Sequence, residues 1–253
     1  MSGLHWGGVF IDEDSALRKY MLKRYAWLEV RILAVMNWIM RLPVMKNPFV
    51  KKAAWHSLAK FVGQHMIVSQ VFTLEDMLSF IDGLPADSAI AVGPCRCRLA
   101  THNCAHPLET DIVIMTGTPI WLELFPTDYR LIDREEARRI VAEGYEVGLV
   151  PMLDRHMYYK DNANYFVICN CCGCSCLPIL AYRTFKELGY HYIPSAWRSA
   201  VDRDKCTGDG ACVEACAFNE RVVVAGKARV LDCQGCGQCV RVCPHGAASM
   251  TKR

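Results

Sequence analysis

The stretch that decides the fold lies near the carboxyl end, where Cys206-x2-Asp209-x2-Cys212-x3-Cys216 is followed by Cys233-x2-Cys236-x2-Cys239-x3-Cys243-Pro244. The two runs superpose at a constant offset of 27 residues, from 206 to 233 and from 216 to 243. Such a repeat is far rarer by chance than a single Cys-x-x-Cys pair. It therefore predicts two equivalent ligand sites.

Cysteines at these spacings bind iron–sulfide cubes. Three in one tight loop reach three corners of a cube, and the cysteine after the gap of three reaches the neighbouring cube. This crossing rule defines a cluster 1 site of Cys206, Asp209, Cys212 and Cys243. It defines a cluster 2 site of Cys216, Cys233, Cys236 and Cys239. Two zinc sites are the alternative, although zinc ligands seldom follow this register.

Residues 201–253 resemble the two-cluster bacterial-type ferredoxin domain in both runs of ligands and in the proline after Cys243. The resemblance implies a ferredoxin-like βαββαβ domain that holds [4Fe-4S] clusters and transfers electrons. The chain departs from the pattern at Asp209, which replaces a thiolate, and at Ala217, which replaces the proline expected after Cys216.

Asp209 leaves the chemistry of the cluster 1 site open, because a carboxylate is a harder and weaker ligand for cluster iron than a thiolate. The fourth corner is ligated by Asp209, open to an outside ligand, or empty, which gives a [3Fe-4S] cluster. In ferredoxins with this substitution, the resemblance implies either three-iron or four-iron forms. In the simplest interpretation, Asp209 is only a turn residue at the mouth of a three-iron site.

Composition bounds the rest of the chain. Its 253 residues suffice for two modest domains, and a hydrophobic content of 52% argues against disorder. Fifteen cysteines, many of them in ligand spacing, predict a reducing compartment. The first residues lack the order of a signal peptide, and the apolar run from Ile32 to Met40 is too short to span a bilayer. We expect a cytoplasmic protein, with peripheral association at the inner face of the membrane as an alternative.

Positive charge is concentrated near the amino end. Between residues 15 and 60, ten lysines and arginines face one acidic residue, Glu29, in a chain of net charge +3. Apolar residues recur at helical spacing over 15–42, and further helices are predicted at 48–64 and 73–81. This basic helical arm packs on the rest of the chain, docks on a redox partner or membrane subunit, or lies on a membrane surface. No motif indicates a nucleic-acid partner.

The middle of the chain alternates short apolar strands with helices. Strands are predicted at 89–92, 112–115, 147–150 and 165–168, and helices at 134–142 and 178–188, ending at Gly144 and Gly189. The whole chain is predicted to be α+β. We divide it into a basic helical region at 1–87, a small cysteine-rich α/β domain at 88–200 and the dicluster domain at 201–253.

Eight cysteines lie in two loops after predicted strands, and so many side chains in short loops do not all point into a core. The preferred ligands of a further iron–sulfur centre are Cys95, Cys97, Cys104, Cys171, Cys172, Cys174 and Cys176, with Cys169 as the spare. Zinc and a redox thiol site are the alternatives. Four thiolates complete one cubane, whereas eight complete two or hold a larger centre.

The Cys95-x-Cys97-Arg98 and Cys169-Asn170-Cys171-Cys172 motifs resemble those of uncharacterised iron–sulfur proteins with a ferredoxin tail. The resemblance implies a further cysteine where this chain has Asp111. Arg96 and Arg98 either offset the charge of the thiolates or are ordinary surface arginines. His102 and His106 flank Cys104 and either ligate iron, donate protons or satisfy loop carbonyls, and His102 is the one catalytic candidate.

These patterns predict an iron–sulfur electron-transfer component of an oxidoreductase complex in anaerobic metabolism. The dicluster domain relays electrons between a redox partner and the middle centre, and the helical arm docks the chain on that partner. In a second interpretation, the middle centre is the catalytic centre of a reductase that the ferredoxin tail feeds. In a third, the metals stabilise a scaffold with no redox role.

Overall fold

A computed structural model describes residues 16–60, 67–102, 104–115, 117–156 and 165–253. The helices are α1 (Ala16–Arg41), α2 (Pro48–Ala54), α3 (Leu74–Asp82), α4 (Arg96–Thr101), α5 (Gly117–Leu124), α6 (Arg134–Glu146), α7 (Leu177–Phe185), α8 (Ala211–Glu214) and α9 (Gln238–Arg241). The strands are β1 (Ile67–Val71), β2 (Ile90–Pro94), β3 (Glu109–Ile114), β4 (Arg130–Ile132), β5 (Val150–His156), β6 (Tyr165–Cys171), β7 (Trp197–Val201), β8 (Arg221–Val224), β9 (Lys227–Val230) and β10 (Ala248–Lys252). The predicted end of the second helix, at residue 64, lies outside the described residues.

Six strands form the central sheet in the order β1-β5-β6-β3-β2-β4, and each neighbouring pair is antiparallel. The α+β class predicted for the whole chain is confirmed, whereas the α/β class predicted for residues 88–200 is wrong, because the strands of the middle region pair antiparallel and not in the parallel pattern of α/β folds. β1 lies within the predicted helical region at 1–87, yet it is an edge strand of this sheet.

Helices cover both faces of the sheet, as the alternation of side chains along β3 illustrates. Ile112 and Ile114 share a core with α3 and α6. Val113, between them, shares another core with Ala26 of α1 and Trp121 of α5. The sheet is therefore the middle of three layers.

Two predicted boundaries around residue 147 are wrong. The helix predicted to end at Gly144 continues to Glu146, and the strand predicted at 147–150 begins only at Val150. Gly144 lies inside α6, where a Cβ atom would come within 3.3 Å of the Asn170 and Leu149 side chains. Close packing accounts for this glycine, and Gly148, with φ of 95°, supplies the left-handed residue after the helix.

The inner face of α1 packs on α4, α5 and α7. Its buried residues include Ala26, Glu29 and Leu33. Glu29 forms a buried ion pair with Arg96 of α4 at 3.0 Å. The Arg96 guanidinium also donates to the Ala26 carbonyl at 3.1 Å and lies 4.4 Å from the centre of the Phe125 ring. The only acidic residue of the arm therefore fixes α1 to the sheet domain.

The carboxyl-terminal region has the predicted βαββαβ order. β7 pairs with β10, and β8 forms a hairpin with β9. The sequence repeat reappears in the helices, since α8 and α9 follow Gly210 and Gly237, which have φ angles of 89° and 83°. The ferredoxin-like topology is thereby confirmed.

Buried polar contacts join this region to the sheet domain. The Gln238 amide donates to the carbonyls of Tyr145 and Leu149 at 2.9 and 2.7 Å. The Tyr182 hydroxyl of α7 donates to Glu220 at 2.9 Å and to Asp232 at 3.0 Å. Across the described parts of the chain, no helix combines the length and apolarity needed to cross a membrane.

The ion pair between Glu29 and Arg96 yields a stability prediction. Arg96→Met leaves a buried carboxylate without its partner, and we expect a loss of about 3–5 kcal/mol in the free energy of unfolding. Arg130→Met is the matched control, because Arg130 pairs with Glu109 and Glu136 at 48% exposure, and such exposed pairs contribute less than about 1 kcal/mol. Anaerobic guanidinium unfolding measures both, and equal losses would contradict the role assigned to the buried pair.

Candidate metal centres

All fifteen cysteines lie among the described residues, and none forms a disulfide. Their thiols gather in three places: the two sites predicted in the dicluster domain and one region beside the central sheet. Because no disulfide uses these thiols, all of them are available as metal ligands.

The cluster 1 site is a cavity that all four predicted ligands line. Cys206, Asp209, Cys212 and Cys243 face it. The Ala228 N–H donates to the Cys206 sulfur at 3.3 Å. Burial raises the pKa of Cys243, but hydrogen bonds from the backbone of His245, Ala247 and Ala248 outweigh that effect and lower it. Amide donors of this kind stabilise thiolates.

Asp209 is held by its own loop. Its Oδ1 accepts from the Ala211 N–H at 2.8 Å, and its Oδ2 accepts from the Thr207 hydroxyl at 3.0 Å. Its Oδ2 also lies 3.4 Å from Nε2 of His245. The bonds from Ala211 and Thr207 lower the pKa of Asp209, so that it is a carboxylate at neutral pH.

The cluster 2 site brings the other four predicted ligands together. The thiol of Cys236 interacts electrostatically with those of Cys239, Cys216 and Cys233. The Ser199 N–H donates to the Cys233 sulfur, and the Glu220 N–H donates to the Cys216 sulfur, each at 3.3 Å. Burial raises the pKa of Cys236, which indicates a water-poor site.

The third place is a cavity between the sheet and α1, which we call the thiol cavity. Its lining includes six cysteines: Cys95, Cys97, Cys169, Cys171, Cys172 and Cys176. Three of the cysteines predicted to lie in loops belong to helices or strands. Cys97 lies in α4, and both Cys169 and Cys171 lie on β6. Residues two apart on a strand share a face, which places Cys169, the predicted spare, beside Cys171.

Thiols of the thiol cavity are linked in a row. Hydrogen bonds join Cys97 to Cys176, Cys176 to Cys171, and Cys171 to Cys169. The Cys169 thiol donates to Oδ2 of Asp154 at 3.5 Å. A row of this kind supplies several sulfur ligands to one buried centre.

A second group of thiols lies next to the cavity and nearer the surface. The ligand atoms of Cys104, Cys172 and Cys174 all lie within 4.8 Å of one another. The Cys104 sulfur is 3.6 Å from that of Cys172 and 2.9 Å from that of Cys174. Burial raises the pKa of Cys172, but bonds from Cys174 and Ser175 and the charge of Arg98 lower it to about 7. Cys172 belongs to both groups.

The basic residues of the first loop are buried, so the interpretation as surface arginines is wrong. Arg98 donates to the Asn170 carbonyl at 3.0 Å and acts electrostatically on Cys95, Cys172 and Cys171. Its charge offsets that of the thiol region, as predicted, whereas the charge of Arg96 is matched by Glu29.

Neither candidate histidine lines the thiol cavity. His102 is exposed and ends α4 with φ of 52°. His106 is half-buried, and burial lowers its pKa. The structure therefore separates both side chains from the row of thiols.

Sequence reasoning marked Asp111 as the position where the resemblance implies a further cysteine, but it missed the other two carboxylates of the thiol cavity, Glu29 and Asp154. Glu29, Asp111 and Asp154 all line this cavity and are buried. Burial raises the pKa of Glu29 to about 7, and of Asp111 and Asp154 to about 6 each. Asp111 accepts from the Tyr129 hydroxyl at 2.6 Å. For Glu29 the signal was a lone acid in a basic helix, which did not indicate the surroundings of its carboxylate.

The two sites of the carboxyl-terminal region define a ferredoxin-type iron–sulfur domain, since converging thiols, amide donors and a cavity fit a cluster. Residues 198–244 match the family model of the 4Fe-4S dicluster domain. This part of the chain is a 4Fe-4S dicluster domain, a type that serves iron–sulfur electron transfer. No curated protein and no solved structure matches the chain.

Proposed function

We propose that the protein relays single electrons between a redox partner and the thiol cavity, by way of the cluster 1 and cluster 2 sites, as a component of an oxidoreductase complex. Bound iron–sulfur clusters would supply the one-electron carriers. The chain's own residues hold the three sites close together, exclude water and balance charge. The basic helical arm docks the chain beside its redox partner.

One contact supports the relay most directly. Gly173, in the second cysteine loop, lies against Ala217, the residue after the cluster 2 ligand Cys216. A Cβ atom on Gly173 would be 3.4 Å from the Ala217 Cα atom. Cys171 and Cys176 share a core cluster with Phe218 and Cys236. Electron tunnelling weakens steeply with distance, so this packing favours transfer between the two sites.

The same contact gives a reason for the departure at residue 217. Ala217 is buried where the two loops meet. The Gly173 loop approaches the Cα atom and the carbonyl of Ala217, and a proline would add a ring beside this contact and fix φ at residue 217. We infer that alanine replaces the usual proline so that the second cysteine loop can approach the cluster 2 site.

Exposure suggests where electrons enter or leave. In the cluster 1 loops, the Asp209 and His245 side chains are 39% and 44% exposed. Cys236 of the cluster 2 site belongs to the core cluster that contains Cys171 and Cys176, and Cys216 packs against it. We propose that the partner exchanges electrons at the cluster 1 end and that the buried sites pass them inward.

If electrons cross the contact between Gly173 and Ala217, a bulkier residue at that contact should slow electron transfer from the dicluster domain to the thiol cavity. Ala217→Leu should leave the iron and sulfide content unchanged but reduce the rate from the dicluster domain to the thiol cavity several-fold. Ala196→Leu, at an exposed position before β7, is the matched control. Stopped-flow reduction followed by freeze-quench EPR measures the rate. Equal rates in the two variants would contradict the relay, and a colourless zinc protein without sulfide would exclude it.

Asp209 yields a prediction about the cluster 1 site. Because both carboxylate oxygens accept bonds from the Asp209 loop, we propose that the site holds a [3Fe-4S] cluster with Asp209 as a turn residue. Asp209→Cys should add about one iron per chain and abolish the three-iron EPR signal of the oxidised protein. Asp209→Ala should keep the signal. Loss of the cluster in Asp209→Ala would instead identify Asp209 as a ligand.

The buried carboxylates favour a second candidate function, in which the thiol cavity is the catalytic centre of a reductase. Asp154 receives a hydrogen bond from Cys169, and a carboxyl group with a raised pKa can deliver the protons that a two-electron reduction consumes. This interpretation gives Asp154 the role that the sequence suggested for His102.

Asp154→Asn tests the reductase. It keeps the shape of the side chain but cannot donate a carboxyl proton, so turnover with small oxidised acceptors should fall by about 10²-fold or more. Reduction of the dicluster domain should be unchanged. Ser69→Ala is the matched control, because Ser69 lies on β1 opposite Asp154 and its loss leaves the carboxyl group in place. Equal turnover in Asp154→Asn and wild type would exclude the proton-donating role.

A further inference from the structure

The outer face of α1 is apolar although no other described element covers it. The exposed fractions of Trp27, Val35 and Trp38 are 58%, 55% and 63%. Leu28, Ile32 and Ile39 are 38%, 43% and 39% exposed on the same side. At 3.6 residues per turn these six residues, which we call the outer stripe, fall opposite the buried Ala26, Leu33 and Met40. A helix that is apolar on both faces needs something to cover each of them.

The charged side chains that α1 presents away from its inner face are basic, and one of them, Lys23, pairs with Glu123 of α5. The Arg24 guanidinium lies over the Tyr20 ring at 5.1 Å, and that of Arg31 lies over the Trp27 ring at 4.9 Å. Arg41 is exposed near the end of the helix. Glu29, the one acidic residue between 16 and 60, is turned inward and paired with Arg96. The surface therefore offers aromatic and aliphatic groups together with uncompensated positive charge.

We propose that the outer stripe of α1 lies in the headgroup region of a membrane rich in anionic lipids. Tryptophan beside arginine and lysine is the composition that favours the membrane interface, where an aromatic ring is half-buried and a cation meets lipid phosphate. The arm lies in the membrane plane, since α1 is not apolar enough to cross it. This inference deepens the proposed docking of the arm and does not depend on the direction of electron flow.

A lipid surface fits this face better than a protein partner does. The outer stripe runs along one face of a single helix, and its residues line neither the thiol cavity nor the cluster 1 cavity. Protein interfaces concentrate binding energy in fully enclosed pockets and exclude charge from their core. Here the basic residues alternate with the apolar ones along the stripe. The nearby Phe49, 83% exposed and followed by Lys51 and Lys52, repeats the pairing of apolar and basic groups.

The thiol cavity lies on the inner side of α1, so binding of the outer stripe to a membrane would affect the relay. Glu29 and Leu33, on the inner face of α1, line the cavity. The cavity is therefore separated from the outer stripe by about one helix diameter, roughly 10 Å. Lipid bound to the outer stripe would place the thiol cavity, the inner end of the relay, beside the membrane, while the redox partner exchanges electrons at the cluster 1 end.

Vesicle binding tests the proposal. The anaerobically purified full-length protein is mixed with vesicles of phosphatidylcholine containing about 30% phosphatidylglycerol, and bound protein is separated by flotation. We expect binding that weakens in about 0.5 M salt and a blue shift of tryptophan emission. The double variant Trp27→Ser, Trp38→Ser and the double variant Arg24→Glu, Arg31→Glu should each lower the binding constant at least about ten-fold.

Matched controls distinguish binding through the outer stripe from nonspecific adsorption to the vesicles. Leu131→Ser and Arg229→Glu change exposed residues outside the arm and should bind vesicles as wild type does. Binding that is absent, or unchanged in the tryptophan and arginine variants, overturns the proposal. So does self-association of the wild type in sedimentation that the tryptophan variant abolishes, because a second copy would then cover the outer stripe. Iron content and EPR of the variants show separately whether the relay is intact.

Discussion

The rest of the structure depends on the packing of two cysteine-bearing turns, one from the sheet domain and one from the dicluster domain. They meet where Gly173 lies against the buried Ala217, and a Cβ atom on Gly173 would come within 2.6 Å of the Arg183 side chain and 3.4 Å of the Ala217 Cα atom. Around this contact, Gln238 and Tyr182 supply buried hydrogen bonds that fix the two regions. Metal sites built on separate folding units stay at a constant separation only if their interface is tight and fully bonded.

Charge balance is the second constraint. Thiolates beside a buried sheet are costly unless positive charge or hydrogen-bond donors accompany them. Arg98 supplies the charge at the thiol cavity, and backbone amides supply the donors in the dicluster domain. Glu29 neutralises Arg96 at the same time as it anchors α1, so that one buried pair serves both the packing of the arm and the electrostatics of the cavity.

The helical arm shows why one helix can serve two environments. Its inner face closes the thiol cavity, and its outer face carries the stripe of aromatic and basic residues. Apolar residues all around a helix look the same in a sequence whether the covering partner is protein or lipid. Only the packing on α4, α5 and α7 distinguishes the two faces.

The dicluster domain and its βαββαβ order could be predicted from the sequence, together with the eight residues that the structure gathers at its two sites. Spacing and repeat are local properties, and a tight loop around a cube leaves few other arrangements. Sequence patterns also predicted β2, β3, β6, α3, α6 and α7 of the sheet domain, whereas no element was predicted at α4, α5 or β4. The tertiary structure alone decided that β1 joins the sheet, that Gly144 packs inside a helix, and that Glu29 and Asp154 line the thiol cavity. Those facts depend on residues far apart in the chain, whose meeting no local pattern records.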